Sequence, residues 1–228
     1  MRDKILVIAA HPDDEILGCG GTISKHIKKK GIVHTLILGE GISSRKNKRN
    51  LKKTTNRIKQ LRNQAIRANN IIGIKKLIHL NLPDNRFDSL DLLDLIKLVE
   101  DVIFKFKPDI IYTHSSSDLN IDHQMTNRAV VTACRPQTNF KVKKLFFFEI
   151  PSSTEWQNPE NSIFKPNFHV NISSHINKKI KALKIYKNEM KKWPHPRSIE
   201  GVKLLSKLRG GQIGCNYAES FFLARAID

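Results

Sequence analysis

Cysteine is scarce in this chain of 228 residues, which holds only Cys19, Cys134 and Cys215. An odd, widely spaced set with no C-x-x-C pair is not a disulfide framework. Cys134 and Cys215 read as buried thiols. Cys19 lies beside a cluster of acids, but no base motif is paired with it, so it is not expected to act as a nucleophile. Long apolar runs are also missing. None approaches the roughly 20 residues that span a membrane as a helix. The N-terminus enters an apolar segment almost at once, leaving no room for a signal peptide, and a cytoplasmic location is the default expectation. Internal repeats, low-complexity tracts and an evident linker are absent, so residues 1–228 read as a single domain.

Acidic residues are few: 21 Asp and Glu stand against 40 Lys and Arg, for a net charge of +19. Such a field favours polyanions, whether nucleic acid, an anionic membrane surface or a phosphorylated substrate. The basic residues are nevertheless spread over many helix faces, in a chain rich in Lys, Asn and Ile throughout. The charge therefore reads as drift in composition ahead of a selected nucleic-acid surface. RNP, zinc-finger and helix-turn-helix signatures are absent.

What is present is concentrated in KILVIAAHPDDEILGCGGT, residues 4–22. An apolar run ends abruptly in His11, Pro12, Asp13, Asp14 and Glu15, which predicts a buried strand turning into a helix. Acids at a helix start suit its unpaired N–H groups and dipole. The carboxyl end of a strand is also where open α/β sheets bind ligands. An imidazole and a carboxylate three positions apart can converge on one divalent ion. His11 and Asp14 are the first two candidate ligands, and Asp13 between them is free to act as base on an activated water. The same residues would also serve as a plain capped strand-to-helix turn.

A second cluster follows a predicted strand at Asp109–Thr113. In HSSSDLNIDHQ, His123 begins a helix, with Asp118, Asn120 and Asp122 just before it. On a parallel sheet this strand end shares an edge with His11. His123 would then complete a set of two His and one carboxylate that leaves a position open for water. Asp122 or Asp118 would hold the far nitrogen of a ligating His. Fe2+ and Co2+ suit these donors as well as Zn2+.

Strands and helices alternate along the rest of the chain. Helices are expected at about 16–30, 54–68, 90–105, 124–134 and 176–190, and strands at about 33–38, 76–80, 143–150, 168–172 and 217–226. The basic stretch 45–53 reads as a solvated loop leading into a helix. Pro83-Asp84-Asn85 is a turn whose polar side chains are also candidates for substrate contact. Trp193-Pro-His-Pro-Arg-Ser is a proline-bracketed loop offering His195 and Arg197 to an anionic or hydroxyl-rich ligand, or else a surface connection. Glu219 is expected near the site or in a buried ion pair.

AHPDDEILGCGGT, Thr35 with Gly39-Glu40-Gly41, the D-x-N-x-D-H segment ending at His123, and the C-terminal RGG and YAESF together resemble the LmbE/PIG-L family of zinc-dependent N-deacetylases. The resemblance spans nearly the whole chain. It implies a Rossmann-like α/β fold, a mostly parallel sheet sandwiched by helices. It implies Zn2+ on His11, Asp14 and His123, with Asp13 as base. The implied substrate is an N-acetylglucosamine-type group on a glycan, lipid, nucleotide or small conjugate, and the basic surface suits a phosphate-bearing one. Where several relatives carry an auxiliary His, this chain has Asn120, which can donate a hydrogen bond but not a proton at neutral pH. His114 and His195 are the candidates for an auxiliary acid or electrostatic role. Arg45, His195 and Arg197 are the candidate substrate contacts. Two other readings stay open: hydrolysis of a different amide in a sugar conjugate, and a basic nucleic-acid-binding protein with a structural metal. Nothing in the sequence speaks to oligomeric state.

Overall fold

The computed structural model describes residues 2–45, 51–136, 140–158, 160 and 163–228, without the side chains of 45 and 51–53. Strands and helices run β1 (Lys4–Ala9), α1 (Asp14–Lys28), β2 (Ile32–Gly39), α2 (Leu51–Ile72), β3 (Lys76–Leu82), α3 (Leu92–Phe106), β4 (Ile110–His114), α4 (Ile121–Ala133), β5 (Lys144–Phe148), β6 (Phe168–Asn171), α5 (Ile176–Leu183), α6 (Ile199–Gly211) and β7 (Ala218–Ala226). They build one seven-stranded sheet in the order β3-β2-β1-β4-β5-β7-β6. The first five strands are parallel, and β7 pairs antiparallel with both β5 and β6. This is the α/β architecture expected, a mostly parallel sheet between helices.

β1 is central because it is apolar on both faces: Ile5 through Ala9 are fully buried. A strand covered on both sides needs no polar alternation. One core packs α1, α2 and α5 against Ile5, Val7, Tyr112, Phe146 and Phe148. The other packs α3 and α4 against Leu6, Ile8, Ile111 and Leu145. Strand order reverses between β1 and β4, so their carboxyl ends flank the crevice where such sheets take ligands. The sequence places His11 after β1 and the Asp118–His123 cluster after β4.

Local signals explain the helix limits. Asp91 caps α3 by accepting the Leu93 N–H at 2.8 Å, and Lys107 ends it in a left-handed turn before Pro108. Asn120 caps α4, its side-chain Oδ1 accepting the Asp122 N–H at 2.8 Å. α1 kinks at Cys19, and the amides beyond the kink, Gly21 and Thr22, donate to Glu219 at 2.9 and 2.7 Å. Glu219 also pairs with Lys179 at 2.7 Å, both buried. Of its two expected places, the ion pair is the one realised.

Two expectations are corrected. α5 stops at Leu183 instead of reaching Met190. The Ile185 and Tyr186 amides bond three residues back, to Ala182 and Leu183. This tightening carries the Tyr186 ring into the core, a tertiary pull that helical spacing does not reveal. Cys215 is half-buried, in the turn after α6, while Cys19 and Cys134 are buried. Among the described residues no helix is long and apolar enough to cross a membrane. Most of the 45–53 stretch lies outside the described residues.

Candidate metal-dependent active site

The turn after β1 is not a plain capped turn. Asp13 occupies the N-cap of α1, yet its side chain makes no capping hydrogen bond. Its backbone sits at φ 107°, a conformation that costs a non-glycine residue on the order of 1–3 kcal/mol. Its carboxyl turns instead to Arg197, with Oδ2 3.4 Å from Nη1. Gly39 at the end of β2 allows the turn to sit this close: a Cβ there would lie 3.0 Å from the Ala10 carbonyl and 3.2 Å from the His11 ring.

Asp14 Oδ2 is the centre of the cluster. It accepts the His11 N–H at 2.9 Å and lies 3.5 Å from His11 Nδ1 and 3.2 Å from His123 Nε2. These three ligand atoms all lie within 4.8 Å of one another. Tetrahedral bonds of about 2.0–2.1 Å put neighbouring ligand atoms about 3.4 Å apart, so the spacing suits Zn2+. The remaining imidazole nitrogens face carboxylates: His11 Nε2 donates to Asp122 at 2.9 Å and lies 3.3 Å from Asp84, and His123 Nδ1 lies 3.1 Å from Asp118. Carboxylates behind both imidazoles orient the rings and leave Nδ1 of His11 and Nε2 of His123 facing inward. The donor set therefore fits a divalent ion.

The carboxylates are themselves anchored. Asp122 accepts the Asn85 and Phe87 amides at 2.7 and 2.9 Å. Asp118 accepts the Thr154 hydroxyl at 2.8 Å, the Asn120 amide at 2.9 Å and the Ser153 hydroxyl. Burial works against its charge, but His123 and these bonds hold its carboxyl at about 2. Burial also opposes the charge on Asp14, and His123, His11 and His114 outweigh it, keeping that carboxyl well below its usual range. Burial lowers both imidazoles, yet Asp122 and Asp14 hold His11 well above its ordinary value, and Asp118 and Asp14 raise His123 to about 9. For Asp13, burial pushes the carboxyl well up, Arg197 opposes this, and Asp14 adds to it.

A cavity of about 110 Å³ opens onto this cluster, lined by His11, Asp13, Asp14, Asn120, His123 and Arg197 among others. Larger clefts elsewhere measure about 260 and 460 Å³; the first is lined by Asp3, His26 and His169, but among the described residues these do not converge within 4.8 Å as His11, Asp14 and His123 do. His114 is fully buried, stacked on His123 at 3.9 Å, and its Nε2 accepts the Ala10 N–H at 2.9 Å. Burial first, and the neighbouring His123 next, hold it well below its ordinary value, so it stays neutral. His195 stands one layer back: Nδ1 accepts the Arg197 amide at 3.1 Å and its ring meets Trp156 edge-on. The Arg45 side chain lies outside the described residues. Cys19 is buried in the core and its thiol donates to the Glu15 carbonyl.

Sequence reading did not assign Asp84 to His11, nor Glu189 to the cavity wall. The Leu-Pro-Asp segment marked Asp84 as a turn residue with a polar side chain to spare. Nothing in the sequence marked Glu189, which arrives through the turns that follow α5.

The family described as PIG-L: GlcNAc-PI de-N-acetylase matches residues 6–134, the segment that contributes His11, Asp13, Asp14 and His123. The chain belongs to the PIG-L family. One relative in sequence, the uncharacterized deacetylase YaiS of Escherichia coli (strain K12), is 31% identical over 157 residues, covering 67% of this chain and 76% of that protein. Among solved structures, N,N'-diacetylchitobiose deacetylase from Pyrococcus horikoshii superposes with a TM-score of 0.76 at 20% identity, over 97% of this chain and 83% of that one. GalB, the 4-carboxy-2-hydroxymuconate hydratase of Pseudomonas putida KT2440, has the same TM-score of 0.76 at 21% identity, over 99% and 98%. At such identities the likeness shows the fold alone, and the fold carries more than one chemistry.

Proposed function

We propose that this PIG-L family protein is a divalent-metal-dependent deacetylase that removes the N-acetyl group from an N-acetylglucosamine-type conjugate. The observation that carries it is the convergence of His11, Asp14 and His123 on one point, with the Asp13 carboxyl beside them uncommitted to capping. Such a site has three protein ligands and room for a fourth, the arrangement of catalytic zinc. An ion bound there supplies an acidified water and polarises the scissile carbonyl.

The protein's own groups do the proton work. Asp13 takes the proton of the attacking water on its carboxyl, and burial makes that carboxyl a stronger base than an exposed one. It then returns the proton to the departing amine, giving acetate and a free amino sugar. Arg197 fixes the direction of the Asp13 carboxyl through Oδ2 and is itself held by the Ser152 hydroxyl at 3.2 Å. The imidazole of His114 is buried behind the cavity lining, where it supports the His123 ring and the Ala10 amide. Asn120 offers an amide at the cavity wall, where its Nδ2 now donates to Asn85 at 2.9 Å.

At about 110 Å³ the cavity is smaller than ordinary ligand pockets of about 300–1,000 Å³. It takes the acetamido end and leaves the rest of the conjugate outside, so the carrier is chosen by the surrounding loops. Incubating the zinc-loaded protein with a panel of N-acetylglucosaminyl glycans, nucleotides and lipids, and weighing the products, tests the reading. A loss of one acetyl group with release of acetate supports it. Products cleaved at a different amide, or hydrated products of the GalB kind, would replace it.

A further inference from the structure

Asp13 holds its left-handed backbone without glycine's freedom, so something must hold it there. Its N–H donates to Glu15 Oε2 at 3.0 Å, two residues along the same chain. The other oxygen of Glu15 accepts the Tyr186 hydroxyl at 2.5 Å and the Asn69 amide at 2.8 Å. Glu15 and Tyr186 are fully buried and Asn69 nearly so. Among the described residues Glu15 forms no ion pair; only neutral donors surround it. A buried carboxyl group without a cation is costly to keep when an apolar side chain would fill the same space.

The geometry points to Glu15 as a positioning residue for Asp13. Its carboxylate, clamped from α2 by Asn69 and from the turn after α5 by Tyr186, grips the Asp13 amide and keeps that residue at φ 107°. With the amide so held, the Asp13 side chain leaves the N-cap position and faces Arg197 and the cavity. In the ordinary capping geometry the same carboxylate would accept amides of the first helical turn and be lost to the cavity. The shortened α5 acquires a purpose in this account, since its end delivers Tyr186 to Glu15.

The inference rests on Asp13 being the base, and the test separates the two. Zinc-loaded wild type, Glu15→Gln, Tyr186→Phe, Asp13→Asn and the double variant Glu15→Gln/Asp13→Asn are assayed for acetate release from the best N-acetylglucosaminyl substrate of the panel above, with metal content measured alongside. Misaligning a reacting group by about 1 Å costs about 100-fold. Glu15→Gln is expected to lower kcat by roughly 10–100-fold with KM and zinc content unchanged. Tyr186→Phe, which removes one of two clamps, is expected to lower it several-fold in the same pattern. Added to Asp13→Asn, the Glu15 change is expected to cost nothing further, because residues acting as one unit are not additive. Full additivity in the double variant, or an unchanged kcat in both Glu15→Gln and Tyr186→Phe, overturns the positioning role. Should Glu15→Gln fail to fold, Tyr186→Phe carries the test. Retained turnover in Asp13→Asn overturns the base assignment instead, whatever the other variants do.

Discussion

Asp122 Oδ2 lies 2.9 Å from His11 Nε2, although the two residues stand 111 positions apart. Asp122 lies in the first turn of α4 and His11 in the turn after β1, so the contact joins the loops beyond the two strand ends across the point where strand order reverses. It also turns Nδ1 of His11 towards Asp14 and His123. A carboxylate behind a ligating imidazole raises its basicity and fixes its ring, and losing one typically lowers metal affinity roughly 10–100-fold. Asp122→Asn is expected to do so in metal titrations, while His11→Ala, Asp14→Ala and His123→Ala bind no stoichiometric zinc.

Asp13 makes a different prediction from its neighbours. Asp13→Asn keeps the carboxamide's shape but cannot take a proton. Turnover is expected to fall by about 100- to 10,000-fold, the usual worth of general acid–base catalysis. Zinc content by elemental analysis should match the wild type, which separates a lost base from a lost ligand.

Metal binding should release protons. In the metal-free protein Asp118 and Asp14 raise His123 to about 9, so at pH 7 it is an imidazolium, and Asp122 and Asp14 shift His11 in the same direction. A metal takes only the neutral imidazole. Uptake at pH 7 therefore displaces protons, and apparent affinity rises with pH until about 9. Titration calorimetry in buffers of different ionisation heat measures the count, and a value near zero at pH 7 contradicts the site.

The Lys179–Glu219 pair tests the scaffold beneath α1. Both are buried, and Lys179 also donates to the Leu17 carbonyl at 2.7 Å. Lys179→Met leaves a buried carboxylate without its cation, which costs about 3–5 kcal/mol. Glu219 keeps the Gly21 and Thr22 amides, so the lower end is expected, read from the denaturant midpoint. Adding Glu219→Gln should restore part of the loss.

The sequence was most legible where local pattern and chemistry coincide. β1 is legible as an unbroken apolar run, and the acids after it stand out because His11, not a preferred capping residue, precedes them and a second His/Asp cluster follows downstream. His123 was visible as a second cluster after a second strand. The sequence left open whether Asp122 or Asp118 backs a ligand. In the fold each has its own imidazole, Asp122 with His11 and Asp118 with His123. That division depends on how α4 lies over β1, which no spacing encodes. Asn69, Tyr186 and Glu189 reach the site from α2 and the turns after α5, and their neighbours in sequence carry no mark of it. The end of α5 is hidden in the sequence for the same reason: its lysines continue a helical rhythm, but Tyr186 is drawn inward to Glu15.

The most direct test is to strip the purified protein of metal, reload it with one equivalent of zinc, and follow acetate release from an N-acetylglucosaminyl substrate at each stage. A catalytic role for the metal requires that turnover disappear with it, return on reloading, and not return in His123→Ala. Undiminished turnover in the stripped protein, with no metal detectable by elemental analysis, would contradict it.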